Sequence, residues 1–117
     1  MRSQPLILAL AVFGLAGCAS DPVPHEQLRL TEQALQQAKA VGATEQVPEF
    51  KLAEDKLARA QANMASESYR DARMRAEQAE LDARLAEALV LTQKSEEQLQ
   101  LLQTRVKRLR KQLEVQP

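Results

Sequence analysis

From Pro24 onward the chain alternates polar and apolar positions at the three-and-four spacing of amphipathic helices. In PHEQLRLTEQALQQAKAV, Leu28, Thr31, Leu35 and Ala38 fall on one face, and Gly42 closes the pattern. Pro24 suits the first helical turn, where its missing N–H has no helical partner in any case. Pro48 opens a second element, along which Phe50, Ala53, Leu57, Ala60 and Met64 keep the spacing, and Asp55 and Arg59 are expected to pair on its solvent side. In a third run Tyr69, Ala72, Ala76, Ala79, Ala83, Ala86 and Val90 form a narrow stripe of small side chains. Beyond it Leu99, Leu102, Val106, Leu109 and Leu113 repeat the spacing in another phase, reached through Leu81, Leu85, Ala88, Thr92 and Ser95. This predicts an apolar face that rotates about the helix axis between residues 81 and 95.

No glycine or proline forces a turn between the second and third elements. A hairpin at Ser66 to Ser68 is nevertheless predicted, because a single alanine-faced helix has nothing to pack against. Ser68 followed by Asp71 has the form of a capping box, with the serine oxygen accepting a backbone N–H of the new helix. The fold class is therefore all-α: a small helical bundle or hairpin with a long C-terminal helix that forms a coiled-coil-like segment. Residues 24–90 are the alanine-rich helical domain and 91–117 the coiled-coil-like end. A straight helix from Tyr69 to Val115 is about 70 Å long, so the expected shape is a rod.

Composition sharpens this picture. Hydrophobic residues make up 44% of the chain but aromatic ones only 3%, so alanine supplies much of the apolar count and a wide core is not expected. Sixteen basic residues balance sixteen acidic ones, which removes any general attraction to nucleic acid. Catalysis lacks candidates. Glu54 with Asp55, and Glu96 with Glu97, are adjacent carboxylates that point about 100° apart on a helix, and His25 is the only histidine. No metal-ligand cluster, phosphate-binding glycine loop or nucleophile elbow is present, and no cofactor or small-molecule substrate is expected. SYRDA is compatible with a tetratricopeptide-like receptor, but the chain lacks that repeat's tryptophan, its regular glycines and a period near 34 residues.

The start of the chain carries a different kind of signal. Arg2 precedes an uncharged run from Ser3 to Ser20, the pattern of an export signal, and its apolar centre from Pro5 to Gly17 is too short to span a bilayer. Leu15, Ala16, Gly17 and Cys18 resemble a bacterial lipobox. That resemblance implies a signal peptide of residues 1–17, cleavage between Gly17 and Cys18, and diacylglycerol and N-acyl lipid on Cys18, with 18–23 as the tether. Two or more acyl chains give a stable anchor. Ala19 stands where aspartate commonly retains such lipoproteins at the inner membrane, so the implied location is the periplasmic face of the outer membrane.

From about Pro24 to Val90 the chain resembles the domain of unknown function 4398 family of bacterial lipoproteins and envelope proteins. The resemblance rests on the lipobox cysteine, a first helix ending in Gly42 and Ala43, then VPEFKLAEDKLARAQA and SYRDARMRAEQAELDARLAEA. Some members carry an outer-membrane-protein-A-like domain that binds peptidoglycan; no room for one is expected after Val90. The major murein lipoprotein is joined to the wall through a terminal lysine, and Val115, Gln116 and Pro117 stand at that place here.

Two functional expectations follow. Leu99, Leu102, Val106, Leu109 and Leu113 form an interaction seam toward a second copy or another coiled-coil envelope protein, unless they fold back on the chain's own helices. In RVKRLRK, the basic residues Arg105, Lys107, Arg108, Arg110 and Lys111 offer a site for an anionic polymer, peptidoglycan or lipopolysaccharide; alternatively they complement the helix dipole and flank the seam.

Overall fold

The computed structural model describes residues 20–115; the signal segment, the Gly17–Cys18 cleavage site and the lipidation site lie outside the described residues. Three helices follow in order: α1 (His25–Ala40), α2 (Pro48–Ala65) and α3 (Tyr69–Val115). Ala38 clusters with Phe50, and Ala34 with Ala53, so α1 and α2 run antiparallel. Lys56 Nζ lies 2.6 Å from Asp82 Oδ2, while Gln27 Nε2 donates to Glu80 Oε2 at 2.8 Å. α3 is thus antiparallel to α2 and parallel to α1, giving an up-down-up bundle on the first half of α3.

The core is built almost wholly of alanine. Ala34, Ala38, Ala43, Ala53, Ala60, Ala72, Ala76, Ala79, Ala83 and Ala86 are buried, and Phe50, 4% exposed, is the large apolar side chain among them. Leu35, Val47 and Val90 pack around this seam as partly buried side chains. With methyl groups at the contact, helix axes can approach to the close end of the usual range of about 8–10 Å. Thr31, fully buried, uses that closeness. Its hydroxyl lies 2.8 Å from Ala76 O across the interface and 2.9 Å from Gln27 O in its own helix, so the polar atom is satisfied.

Both reversals are Schellman turns. At the end of α1 the Gly42 N–H donates to Lys39 O and the Ala43 N–H to Ala38 O, with Gly42 at φ +106° and Ala43 buried against Ala38. At the end of α2 the Glu67 N–H donates to Met64 O and the Ser68 N–H to Asn63 O, with Glu67 at φ +59°. The hairpin predicted at 66–68 is present, formed by a glutamate in the left-handed region. Pro48 opens α2 in its first turn as expected, and α1 begins one residue after Pro24, whose carbonyl accepts from Leu28 N–H.

Three details differ from expectation. Ser68 occupies the cap position of α3, but its hydroxyl meets Ser66 Oγ at 3.4 Å and its carbonyl accepts from Ala72 N–H; the capping box is not formed among the described residues. Asp55 lies 4.0 Å from Lys51 instead of pairing with Arg59, which borders a shallow groove with Ala62, Asn63 and Asp71. The apolar face of α3 does not rotate: Leu81 and Leu85 are exposed at the level where Ala83 and Ala86 are buried.

Two outcomes follow for stability. Glu67→Gly relieves the left-handed strain of an L side chain and is expected to stabilise the chain by about 1 kcal/mol, visible as a higher urea midpoint. An unchanged midpoint would contradict the turn geometry. Ala76→Leu is expected to cost on the order of 3 kcal/mol because Ala76 is fully buried between α1 and α3, whereas Ala58→Leu, on the exposed side of α2, is expected to be nearly neutral. Equal midpoints for the two variants would show that the helices are not in close contact.

Candidate interaction surface

α3 carries two apolar faces at once. On a helix advancing about 100° per residue, Ala72, Ala76, Ala79, Ala83 and Ala86 lie within about 40° of one direction, and Leu81 and Leu85 lie about 180° and about 140° from it. Ala83 and Ala86 are fully buried, while Leu81 and Leu85, at the same level, are exposed. The leucine face therefore starts on the outside of the bundle and continues along one side of the rod through Ala88, Thr92 and Ser95 to Leu99, Leu102, Val106, Leu109 and Leu113. Sequence periodicity places these residues in one register but cannot say that both faces coexist. What looks like rotation is the end of the alanine face, where α1 and α2 stop.

Every residue from Leu91 to Val115 is exposed. Along the predicted seam, exposure runs from 46% at Val106 to 73% at Leu113. The leucines do not fold back on the described helices. Leu89 and Leu91 are also exposed and flank the seam, while Leu101, likewise exposed, lies on the side of α3 turned away from it. Ser95 Oγ donates to Leu91 O at 2.9 Å, so this polar member of the stripe is satisfied within its own helix.

The bundle meets the free rod at Lys94. Its Nζ donates to Val41 O at 2.6 Å, placing a cation on the C-terminal end of α1, where unpaired carbonyls and the helix dipole favour one. That role was not legible from sequence, since Lys94 and Val41 are brought together only by the fold. Near the middle of the bundle, Glu80 receives hydrogen bonds from Arg84 Nη2 at 2.6 Å and Gln27 Nε2 at 2.8 Å. These bonds, the arginine's first and the glutamine's second, hold its carboxyl below the ordinary value.

The five basic residues Arg105, Lys107, Arg108, Arg110 and Lys111 are exposed, and none forms an ion pair among the described residues. They do not share one face. Around the helix they fill the arc that the seam leaves open, making a cationic collar near the tip. Glu54, Asp55, Glu96 and Glu97 are exposed on two separate helices, and His25 is exposed at the start of α1. No group of three or more potential metal ligands occurs among the described residues, and no described helix is long and apolar enough to cross a membrane.

Residues 26–102 match the family described as Domain of unknown function (DUF4398). The chain is also similar to a protein of this family from Pseudomonas aeruginosa PAO1 with a crystal structure. Identity is 68%, the TM-score is 0.77, and the match covers 79% of this chain and 96% of that one. Among curated proteins, none matches the chain. An alanine-cored hairpin of two short helices on one long one, matched over most of its length, makes this chain a member of the DUF4398 family.

Proposed function

We propose that this chain is a lipid-anchored helical rod of the bacterial envelope, held at the periplasmic face of the outer membrane through Cys18. There it serves a structural or adaptor role by coiled-coil contact along α3. The observation that carries this reading is the exposed leucine seam: five large apolar side chains from Leu99 to Leu113 repeat at coiled-coil spacing on a helix that its own bundle leaves uncovered. The anchor is supported by the export signal and by the LAGC segment ending at Cys18. No cofactor is invoked, and the residues given a role are those of the seam and the lipidated cysteine.

A second reading is favoured by the unpaired state of the collar among the described residues. Arg105, Lys107, Arg108, Arg110 and Lys111 present cations in most directions about the tip, an arrangement that suits non-covalent contact with an anionic polymer such as peptidoglycan or lipopolysaccharide.

For the first reading, replacing both Leu102 and Leu109 with glutamate is expected to weaken seam-dependent assembly by about 30-fold or more, equivalent to about 2 kcal/mol. The readout is the yield and mass of complexes crosslinked from the flanks of the seam in intact envelopes. Complexes of unaltered mass and yield would refute it. For the second, sedimentation with purified peptidoglycan or lipopolysaccharide is expected to weaken steeply with added salt and with glutamine at the five basic positions. Binding indifferent to both changes would eliminate the collar.

A further inference from the structure

We propose that the occupant of the outer face of α3 is a second copy of this chain in antiparallel orientation, with the two helices crossing their twofold axis near residue 97. This rests on the reading of the leucine seam as a contact between chains, and it names the partner.

Three observations converge on this arrangement. The first is symmetry. Successive members of the stripe alternate as the two core positions of a heptad: 81, 88, 95, 102 and 109 in one class, 85, 92, 99, 106 and 113 in the other. Reversing one copy pairs the classes without remainder. Leu81 meets Leu113 of the second copy, Leu85 meets Leu109, and Ala88 meets Val106. In the middle, Thr92 and Ser95 meet Leu102 and Leu99, small against large. The leucine-poor middle of each copy is thereby covered by leucines of the other. Ser95 enters such an interface already bonded to Leu91 O.

The second is charge. In a parallel, in-register pair the flanking positions bring Arg105 of one copy to Arg110 of the other, twice by symmetry. The antiparallel pair separates them and puts Arg110 beside Asp82 of the second copy. Asp82 binds Lys56 through Oδ2, and its Oδ1 accepts no hydrogen bond among the described residues. Glu96 meets its own copy at the axis, the one like-charged contact of this arrangement.

The third is register. Sliding the copies one heptad toward the bundles sets Arg105 against Arg84 and Arg110 against Arg75. Sliding one heptad the other way leaves Leu81 and Leu85 uncovered, although both are exposed on the outside of the bundle. The bundle itself does not obstruct the pairing, because α1 and α2 occupy the opposite, alanine face of α3.

The test is distance measurement between spin labels on the full chain, carried by Gln98→Cys or Gln112→Cys in a Cys18→Ser background. Both positions are exposed and lie beside the seam, so the apolar contacts stay intact. Antiparallel pairing predicts a short separation at Gln98, on the order of 20 Å for helices 8–10 Å apart, and one of about 40 Å at Gln112. Short separations at both positions would mean a parallel pair, overturning this proposal and leaving the seam as an interface. A monomeric mass with no coupling at either position would overturn self-pairing; the seam reading itself falls only if the Leu102 and Leu109 replacements also leave envelope complexes unchanged.

Discussion

The close approach of helix axes through alanine is the constraint on which the rest of this molecule depends. A leucine core would hold the helices farther apart and draw side chains inward from a wide arc of α3. Here the buried arc is one methyl group wide, from Ala72 to Ala86, and Thr31 can reach a backbone carbonyl of the neighbouring helix directly. Each buried methyl contributes little compared with a leucine. The gain comes from many small contacts along the seam, helped by half-buried Leu35, Val47 and Val90 at the margins. Because so narrow an arc suffices, the opposite side of α3 remains free to carry leucines.

Electrostatics fix the ends and flanks of that narrow contact. Lys94 neutralises the C-terminal end of α1, the partly buried Lys56–Asp82 pair ties α2 to α3, and the Gln27–Glu80–Arg84 chain ties α1 to α3. Arg73 and Asp21, 3.1 Å apart, hold the segment entering α1 beside the start of α3. These polar contacts span between helices where the alanines leave little side-chain surface to specify a register. An alanine seam alone could slide by a turn with small loss; a set of charged and amide contacts at defined heights cannot.

Much of this was legible in the residues. The three-and-four spacing marked the buried positions of α2 and α3 and, in α1, Thr31 and Ala38 but not the buried Ala34, and Gly42 and Pro48 marked one reversal, because those two residues have backbone preferences that act locally. The second reversal followed only from the need of an alanine-faced helix for a partner. Its mechanism was hidden, since Glu67 in the left-handed region carries no compositional signature. The Ser68 capping box and the Asp55–Arg59 pair had the right spacing, yet Ser66 and Lys51 were equally near in the folded chain. The two faces of α3 were read as one rotating face because periodicity gives phase along the helix, not which phase is covered. Deciding that requires knowing where α1 and α2 end.

Anchoring and pairing place opposite demands on such a rod. The Asp21–Arg73 contact holds the segment ahead of α1 at the hairpin end of α3, so an anchor at Cys18, as proposed, would bring each chain to the membrane at one extremity. Two parallel copies would stand with both tethers below and both cationic collars at the far tip. Two antiparallel copies crossing near residue 97 separate their tethers by about 70 Å along the rod. Such a pair is compatible with one membrane only if it lies along the surface. Each collar would then fall beside the bundle of the other copy, at a height where basic side chains within a Debye length of an anionic surface gain most. In the proposed pair the collar and the seam would be parts of one arrangement: the seam would set the distance between tethers, and with it the height at which the collar's charge is held.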